Sequence, residues 1–235
     1  MEKLYEGKAK IVYKTDEPDK VIIYFKDEAT AFNAQKRDVI EGKGVLNNKI
    51  SSLFFKLLNE RGIPTHFIQQ LSDREMLTYK TTIIPVEVVV RNIATGSIVK
   101  RLGIEEKTVF NPPLIEFYLK NDALGDPIIC YEHIRALNLA SDEDINTIKN
   151  LALKINGILR DFMKSKGIIL VDFKLEFGKK SDGTIVVADE ISPDTCRFWD
   201  EKTGEKMDKD RFRLNLGELI KYYEEVLRRI EKWKK

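Results

Sequence analysis

IILVDFKLEFGKKSDGTIVVADEISPDTCR, residues 168–197, is the stretch around which the fold is organised. In its first half, apolar residues alternate with Asp172, Lys174 and Glu176, which is the period-two pattern of a strand with one apolar and one polar face. An Asp-Gly step then predicts a turn, and residues 184–188 predict a second strand that ends at two acidic residues. A hairpin of these strands brings the charged face of the first beside the acidic end of the second.

This charged cluster has two interpretations. It is either a solvated face of an antiparallel sheet, with a lysine between two carboxylates, or a site for Mg²⁺ and a polyphosphate. In the second interpretation Glu176 and Asp189 hold the ion, because Mg²⁺ takes one or two protein carboxylates and completes its shell with water and phosphate oxygens. Lys174 then supplies a positive charge to a phosphate oxygen. The pattern alone leaves both interpretations open.

Composition excludes several classes of protein. Forty basic and thirty-eight acidic residues give a net charge of +2, without the basic block of a nucleic-acid-binding arm. No apolar run reaches the length of a membrane span, and the N-terminus lacks the apolar region of a signal peptide, so we expect a cytoplasmic protein without nucleic-acid or membrane partners. Two distant cysteines and two histidines predict neither a disulfide framework nor a zinc site. Any metal is therefore expected to have oxygen ligands.

The order of predicted elements indicates an α+β fold. We expect an antiparallel, β-rich N-terminal lobe in residues 1–80 and a larger lobe of sheet and helices in residues 81–235. The predicted strands outside the hairpin are residues 4–13, 21–25, 65–71, 76–80 and 83–92. The predicted helices are residues 46–60, 141–167 and 216–230, and residues 103–126 are predicted to be rich in loops.

Two further pairs of charged residues can each be interpreted in two ways, as structural or as functional. Lys8 and Lys10 share one face of the first predicted strand, either as exposed lysines on an edge strand or as contacts to an anionic ligand. Glu87 and Arg91 share one face of an otherwise apolar strand. Because buried charges are costly unless they are paired or bound to a ligand, this second pair favours a functional interpretation.

Three blocks of sequence resemble one enzyme family. They are LVDFKLEFG at 170–178, the pattern D-E-x-S-P-D-x-x-R at 189–197 and the pattern I-I-P-V-E-V-V-V-R-N-x-A-x-G-S at 83–97. These blocks, within similar stretches from residue 4 to about residue 223, resemble the phosphoribosylaminoimidazole-succinocarboxamide synthase family, also called SAICAR synthetase. The resemblance implies a two-lobed, ATP-grasp-like fold with ATP in the cleft between the lobes, in a homo-oligomer with a dimer favoured.

The resemblance also implies the reaction. The family belongs to de novo purine biosynthesis and joins L-aspartate to the carboxylate of 5-amino-1-(5-phosphoribosyl)imidazole-4-carboxylate, while ATP becomes ADP and phosphate. A carboxylate is a poor electrophile, so the implied route passes through an acyl phosphate. Such chemistry needs two anions held in line, which lysines and a divalent metal can provide.

Site residues are implied by position in the family's motifs. The resemblance assigns ATP to Lys8, Lys10, Val86, Val88, Lys120 and Lys174, with the adenine edge beside the backbone near the two valines. It assigns the phosphoribosyl substrate and L-aspartate to Arg91, Ser97, Asp194, Arg197 and Arg213. Mg²⁺ is assigned to Glu176 and Asp189, and the catalytic residues to Lys174 and Asp194. Asn121, Asp122 and Lys209 are further candidates for ligand contact.

Two adjacent positions depart from the family pattern. Many relatives carry a small Gly-Ser pair before the arginine, whereas this chain has Thr195 and Cys196 before Arg197. The implied mechanism needs no covalent enzyme intermediate, and no histidine lies nearby in sequence. We therefore interpret Cys196 as a wall of the binding site rather than as a nucleophile.

Two other functions fit many of the same residues. A small-molecule kinase also combines lysines, a carboxylate-bound metal and a nucleotide cleft, but it releases a stable phosphorylated product and needs no amine. A non-catalytic nucleotide sensor binds ATP without turnover. The arginines at positions 91, 197 and 213 favour the ligase, because they predict an acceptor pocket for anions.

Overall fold

A computed structural model describes residues 2–32 and 35–234. The strands in chain order are β1 (Lys3–Glu6), β2 (Lys10–Lys14), β3 (Lys20–Phe25), β4 (Glu28–Ala31), β5 (Lys36–Val39), β6 (Phe67–Gln70), β7 (Glu75–Tyr79), β8 (Thr82–Ile83), β9 (Val86–Ile93), β10 (Val109–Leu119), β11 (Ile128–Ile129), β12 (Ile168–Lys179), β13 (Ile185–Ala188) and β14 (Cys196–Asp200). The helices are α1 (Lys43–Glu60), α2 (Ser97–Leu102), α3 (Tyr131–Ala136), α4 (Asp142–Ser165), α5 (Asp210–Arg213) and α6 (Leu219–Ile230). Short 3₁₀ turns lie at Asp122–Leu124 and Glu231–Lys234.

The first sheet is antiparallel, with the strand order β1-β2-β3-β7-β6. Its central strand β3 alternates buried and partly exposed residues, so that Val21, Ile23 and Phe25 face the interior. Helix α1 packs against β3, β6 and β7 and ends before Gly62, which adopts a φ of +76°. This sheet agrees with the predicted β-rich N-terminal part.

The second sheet has the order β11-β10-β9-β12-β13, and β8 and β14 also pair with β12. Strand β12 therefore pairs with four other strands, all antiparallel. Helix α4 covers one face of the sheet with buried apolar side chains at Ile148, Ile155 and Leu159. The predicted hairpin of residues 168–188 is confirmed as β12 and β13, and β12 lies at the centre of this sheet.

One cluster of buried apolar side chains extends across both sheets. It includes Ile23 and Met76 from the first sheet, Val88 and Phe173 from the second, and Val226 from α6. The two sheets thus share a core, and the division at residues 80 and 81 stays a prediction. Within residues 2–32 and 35–234, no helix is both long enough and apolar enough to cross a membrane.

Three sequence predictions differ from the structure. The strand predicted at 4–13 is two antiparallel strands, β1 and β2, because the chain turns at Gly7, whose N–H donates to the carbonyl oxygen of Lys10. Lys8 therefore lies in the turn and does not share a strand face with Lys10. The strand predicted at 83–92 is divided, because Pro85 cannot donate a ladder hydrogen bond and the chain pairs with β12 first as β8 and again as β9. The loop predicted at 103–126 contains the eleven-residue strand β10. The Asn111-Pro112-Pro113 step, which indicated a loop, lies where the register between β10 and β9 is irregular, so its prolines are accommodated without the regular ladder.

Candidate active site

A cavity of about 750 Å³ is lined by residues of both sheets, and this volume is in the range of small-molecule sites. Ten of the thirteen predicted site residues line it: Lys8, Lys10, Arg91, Lys120, Lys174, Glu176, Asp189, Asp194, Arg197 and Arg213. Val86 and Val88 are instead buried in the core, on the face of β9 opposite the cavity, so any contact to a ligand would use their backbone. Ser97 lies at the start of α2, with its Oγ 3.4 Å from Arg91 Nη2.

The charged face of β12 is buried. Asp172 and Glu176 are 3% and 5% exposed, and both line the cavity together with Lys174. The interpretation of this face as a solvated sheet surface is therefore wrong. It failed because β9 and β10 extend the sheet and the first sheet lies across the cavity, so the side chains that face away from α4 line a cavity instead of an open sheet surface.

Two lysines and two glutamates form a group that we call the Glu176 cluster. Lys174 Nζ lies 2.8 Å from Glu87 Oε1 and 3.2 Å from Glu176 Oε1, and Lys120 Nζ lies 3.0 Å from the same Glu176 oxygen. Burial by itself lowers the pKa of Lys174, but the Glu176 and Glu87 carboxylates reverse this and hold the pKa well above its usual range. Lys174 is therefore a permanent cation, suited to an anionic ligand and unsuited to accept a proton.

Asp189 lies beside this cluster because Glu176 pairs with Ala188 across the hairpin. Its backbone has a φ of +60°, a left-handed conformation that aspartate tolerates better than most residues. Lys10 Nζ contacts the Asp189 carboxylate and lies 2.9 Å from Glu190 Oε1. Although burial opposes ionisation, Lys10 and Lys174 hold the pKa of Asp189 well below its usual range, so it remains a carboxylate.

At the other end of the cavity, guanidinium groups are held by shared carboxylates. Arg91 Nη1 and Arg197 Nη1 lie 2.8 and 3.0 Å from the same oxygen of Asp172. Arg197 Nε lies 2.9 Å from one oxygen of Asp210, and Arg213 Nη1 lies 2.8 Å from the other. We call these five residues the arginine network. It orients three forked hydrogen-bond donors along one wall, a geometry suited to phosphate and carboxylate groups.

The backbone before α2 approaches this network closely. Gly96 has a φ of +69°, and a Cβ atom at this position would lie 2.7 Å from Arg197 Nη2. Only glycine combines that backbone conformation with room for the guanidinium. This contact explains why the sequence block at 83–97 has a glycine before Ser97.

Asp194 and Cys196 lie in and after the turn between β13 and β14. Both oxygens of Asp194 have partners, namely Lys43 Nζ at 2.6 Å and Tyr223 Oη at 2.6 Å. Burial raises the pKa of Cys196 well above its usual range, so the thiol stays protonated and forms a wall of the cavity, as predicted. Lys209 also lines the cavity, and burial lowers its pKa to about 8.

Comparison with known proteins identifies the family. The SAICAR synthetase family model matches residues 3–230. The phosphoribosylaminoimidazole-succinocarboxamide synthase of Persephonella marina is 72% identical over 231 residues, which cover 98% of this chain and 97% of that protein. The crystal structure of the same enzyme from Ehrlichia chaffeensis is 52% identical and covers 98% of each chain, with a TM-score of 0.95. A type-2 SAICAR synthetase structure in complex with ADP is also 52% identical, with a TM-score of 0.93 and 96% of each chain covered.

The chain belongs to the SAICAR synthetase family. The predicted family and its α+β, ATP-grasp-like fold are therefore confirmed. Enzymes of the SAICAR synthetase family are ATP-dependent ligases of purine biosynthesis, and the prediction of such a ligase is confirmed with them. The kinase and the non-catalytic sensor are set aside on the same ground.

Several residues that hold the side chains of this SAICAR synthetase site in place were given no role by the sequence. Glu116 lies in the region predicted as loop, and its partnership with Arg91, at 2.7 Å, depends on the unrecognised strand β10. Tyr223 is one member of an apolar helical stripe, which gives no sign that its hydroxyl has a polar partner. Lys43 had one available signal, a lysine between two glycines at the start of a helix.

Proposed function

We propose that this cavity binds ATP at the Glu176 cluster and the phosphoribosyl-aminoimidazole carboxylate at the arginine network, and joins the carboxylate to the amine of L-aspartate to give SAICAR, ADP and phosphate. The observation that supports this arrangement is the division of one cavity into a lysine-and-carboxylate end and an arginine end. A transfer between two anions needs both ends in one enclosed site.

The lysine end suits MgATP. Lys8, Lys10 and Lys174 line it as cations that can neutralise phosphate oxygens, and the related structure with ADP supports a nucleotide at this site. Glu176 and Asp189 fit Mg²⁺, because they are hard oxygen donors on the wall of the same cavity and Mg²⁺ requires only one or two protein carboxylates. When bound, the ion neutralises charge on the phosphates.

The arginine end suits the acceptor substrate. Arg91 and Arg197 have fixed orientations and spare N–H groups for the ribose phosphate, while Ser97 lies within reach of Arg91. Arg213, beside Asp210, is the candidate for a carboxylate of L-aspartate. Asp194 accepts hydrogen bonds from ribose hydroxyls or from the amino group of the imidazole.

The reaction has two steps in this proposal. An oxygen of the imidazole carboxylate attacks the γ-phosphorus of ATP, and the bond to ADP breaks, which gives an acyl phosphate. The aspartate nitrogen then attacks the acyl carbon, loses a proton, and phosphate leaves with the electrons of the carbon–oxygen bond. Lys174, held as a cation by two glutamates, stabilises negative charge on the transferred phosphoryl group and takes no proton.

The test is ADP release with MgATP, the imidazole carboxylate and L-aspartate, followed by omission of each in turn. We expect ADP and SAICAR in equal amounts only when all three are present. Full ADP release without L-aspartate and a stable phosphorylated product would contradict the proposal. The expected homo-oligomer, with a dimer favoured, stays a prediction that sedimentation can test.

A further inference from the structure

Two residues that do not line the cavity donate hydrogen bonds to the carboxylate of Asp194. Lys43, the first residue of α1, and Tyr223, in α6, are 1% and 0% exposed, and each gives a hydrogen bond of 2.6 Å to a different oxygen of Asp194. Asp194 lines the cavity, whereas neither partner does. At this point of the cavity wall, Asp194 can contact a ligand directly. Lys43 and Tyr223 can influence that ligand only through Asp194.

The position of Lys43 is costly without Asp194. An ammonium group loses its hydration when it is buried, and a cation at the start of a helix also faces the positive end of the helix dipole. The eighteen-residue α1 has no acidic residue in its first turn to offset this charge. Asp194, whose carboxylate belongs to a turn far away in sequence, is the hydrogen-bond partner of the Lys43 ammonium in the described residues.

Tyr223 restricts the orientation of the Asp194 carboxylate by a hydrogen bond to its second oxygen. Burial and the Asp194 carboxylate raise the pKa of Tyr223 well above its usual range, so its hydroxyl remains a donor. A carboxylate offers about four acceptor positions on its two oxygens, and one position on each is used by these partners. The remaining acceptor positions of the Asp194 carboxylate are available for hydrogen bonds from a ligand. Because the carboxylate is ionised, it has no proton to donate to that ligand.

We propose that Lys43 and Tyr223 are positioning residues that fix Asp194 as an ionised acceptor for the O–H and N–H donors of the phosphoribosyl-aminoimidazole substrate. This inference rests on the proposed function, since it assumes that the acceptor substrate meets Asp194. α1 and α6 pack against each other, so the two donors approach the carboxylate from one rigid pair of helices. The position of Asp194 is then set by helix packing rather than by its own turn.

The central test replaces Tyr223 by phenylalanine, with Tyr222→Phe as the matched control. Tyr222 is the preceding residue of α6, and its hydroxyl bonds Glu205 at 2.7 Å, outside the cavity. We expect Tyr223→Phe to lower kcat/KM for the imidazole carboxylate about 10-fold or more, the effect of one hydrogen bond to a charged group. The KM for ATP should change less than about 2-fold, and Tyr222→Phe should leave both values within about 2-fold.

A double-mutant cycle separates positioning from general support of the fold. If Tyr223 acts through Asp194, Tyr223→Phe should cost less than about 2-fold when it is added to Asp194→Asn. Lys43→Gln, which keeps a donor and removes the charge, should show the same dependence on Asp194. An equal loss in both backgrounds, or a Tyr223→Phe enzyme that matches Tyr222→Phe, would overturn the inference.

Failure of the underlying function is distinguishable in the same experiment. A wild-type enzyme that makes no SAICAR would contradict the proposed function itself. An active wild type whose Asp194→Asn variant keeps full kcat/KM would remove Asp194 from the site and overturn the positioning role as well. An active wild type with an impaired Asp194→Asn variant supports the site and leaves the cycle to decide the roles of its partners.

Discussion

Glu176 and Asp189 are surrounded by lysines, yet their carboxylates line the cavity. Glu176 Oε1 lies within 3.2 Å of both Lys120 Nζ and Lys174 Nζ, and Asp189 contacts Lys10. We expect Glu176→Gln and Asp189→Asn each to lower kcat by about 100-fold or more, because each removes one preorganised charge from the phosphoryl-transfer site. Asp182→Asn, in the exposed turn between β12 and β13, is the control in the same assay. Near-normal turnover of either variant at limiting Mg²⁺ would contradict the metal assignment.

His66 predicts a pH dependence of stability. It is 3% exposed, and its Nε2 has no hydrogen-bond partner among the described residues. Burial lowers its pKa to about 3, although the nearby Asp189 carboxylate opposes the shift. In the unfolded chain His66 binds a proton as the pH falls through about 6.5, whereas in the folded chain it stays neutral until about pH 3. The contribution of neutral His66 to the free energy of unfolding is therefore lost as the pH falls from about 6.5 toward 3.

The measurement is denaturant unfolding of the wild type and of His66→Gln at pH 6 and pH 5. The wild type should lose about 1 kcal/mol more of unfolding free energy over this step than the variant, because the proton taken up on unfolding is absent from the variant. His133→Gln removes the only other histidine, which is exposed, and is the control. Equal losses in wild type and His66→Gln would show that His66 is not held neutral.

At the scale of elements, a reciprocal amide pair joins strand β9 of the second sheet to α4. Asn92 Nδ2 donates to Asn156 Oδ1 at 2.8 Å, and Asn156 Nδ2 donates to Asn92 Oδ1 at 2.9 Å, with both residues buried. Asn92 follows Arg91 on β9, so the pair fixes the strand that carries Glu87 and Arg91 in the cavity wall. Its loss should leave a buried amide unsatisfied.

We expect Asn156→Ala to lower the unfolding free energy by about 1–3 kcal/mol, for that reason. Asn150→Ala, on the exposed side of the same helix, should cost less than about 1 kcal/mol and is the matched control. Chemical denaturation measures both variants. A loss no larger in Asn156→Ala than in Asn150→Ala would mean that the pair contributes nothing net to the docking of α4.

The elements that could be predicted from sequence are those with a strong internal pattern. Strand β12 and helix α4 have long period-two and helical patterns, and both were found. Strand β10 was missed because two consecutive prolines are a local signal for a loop, while its pairing with β9 is a long-range property. The same limit applies to the site, since the Asp172 bridge between Arg91 and Arg197 joins three strands and cannot be read from any one of them.

At the scale of the whole molecule, the two predicted lobes share one apolar core. Buried side chains of β3, β12 and α6 belong to one cluster, so the first sheet has no separate core large enough to stand apart. We expect far-UV circular dichroism and tryptophan fluorescence to report one coincident unfolding transition. Both tryptophans lie within residues 81–235, so fluorescence follows the larger part alone, whereas dichroism follows the whole chain.

ADP should shift that single transition as a unit. The lysines of the cavity come from β2 in the first sheet and from β12 in the second. If a nucleotide binds to both, as we propose, it stabilises only the state in which the two parts are joined. At an ADP concentration of 100 times Kd, the unfolding free energy should rise by about 2.7 kcal/mol for both probes. Lys10→Met, which removes one contact from the first sheet, should need more ADP for the same rise. Two separated transitions, with only one of them moved by ADP, would mean that the lobes are independent and that the nucleotide is held by one of them alone.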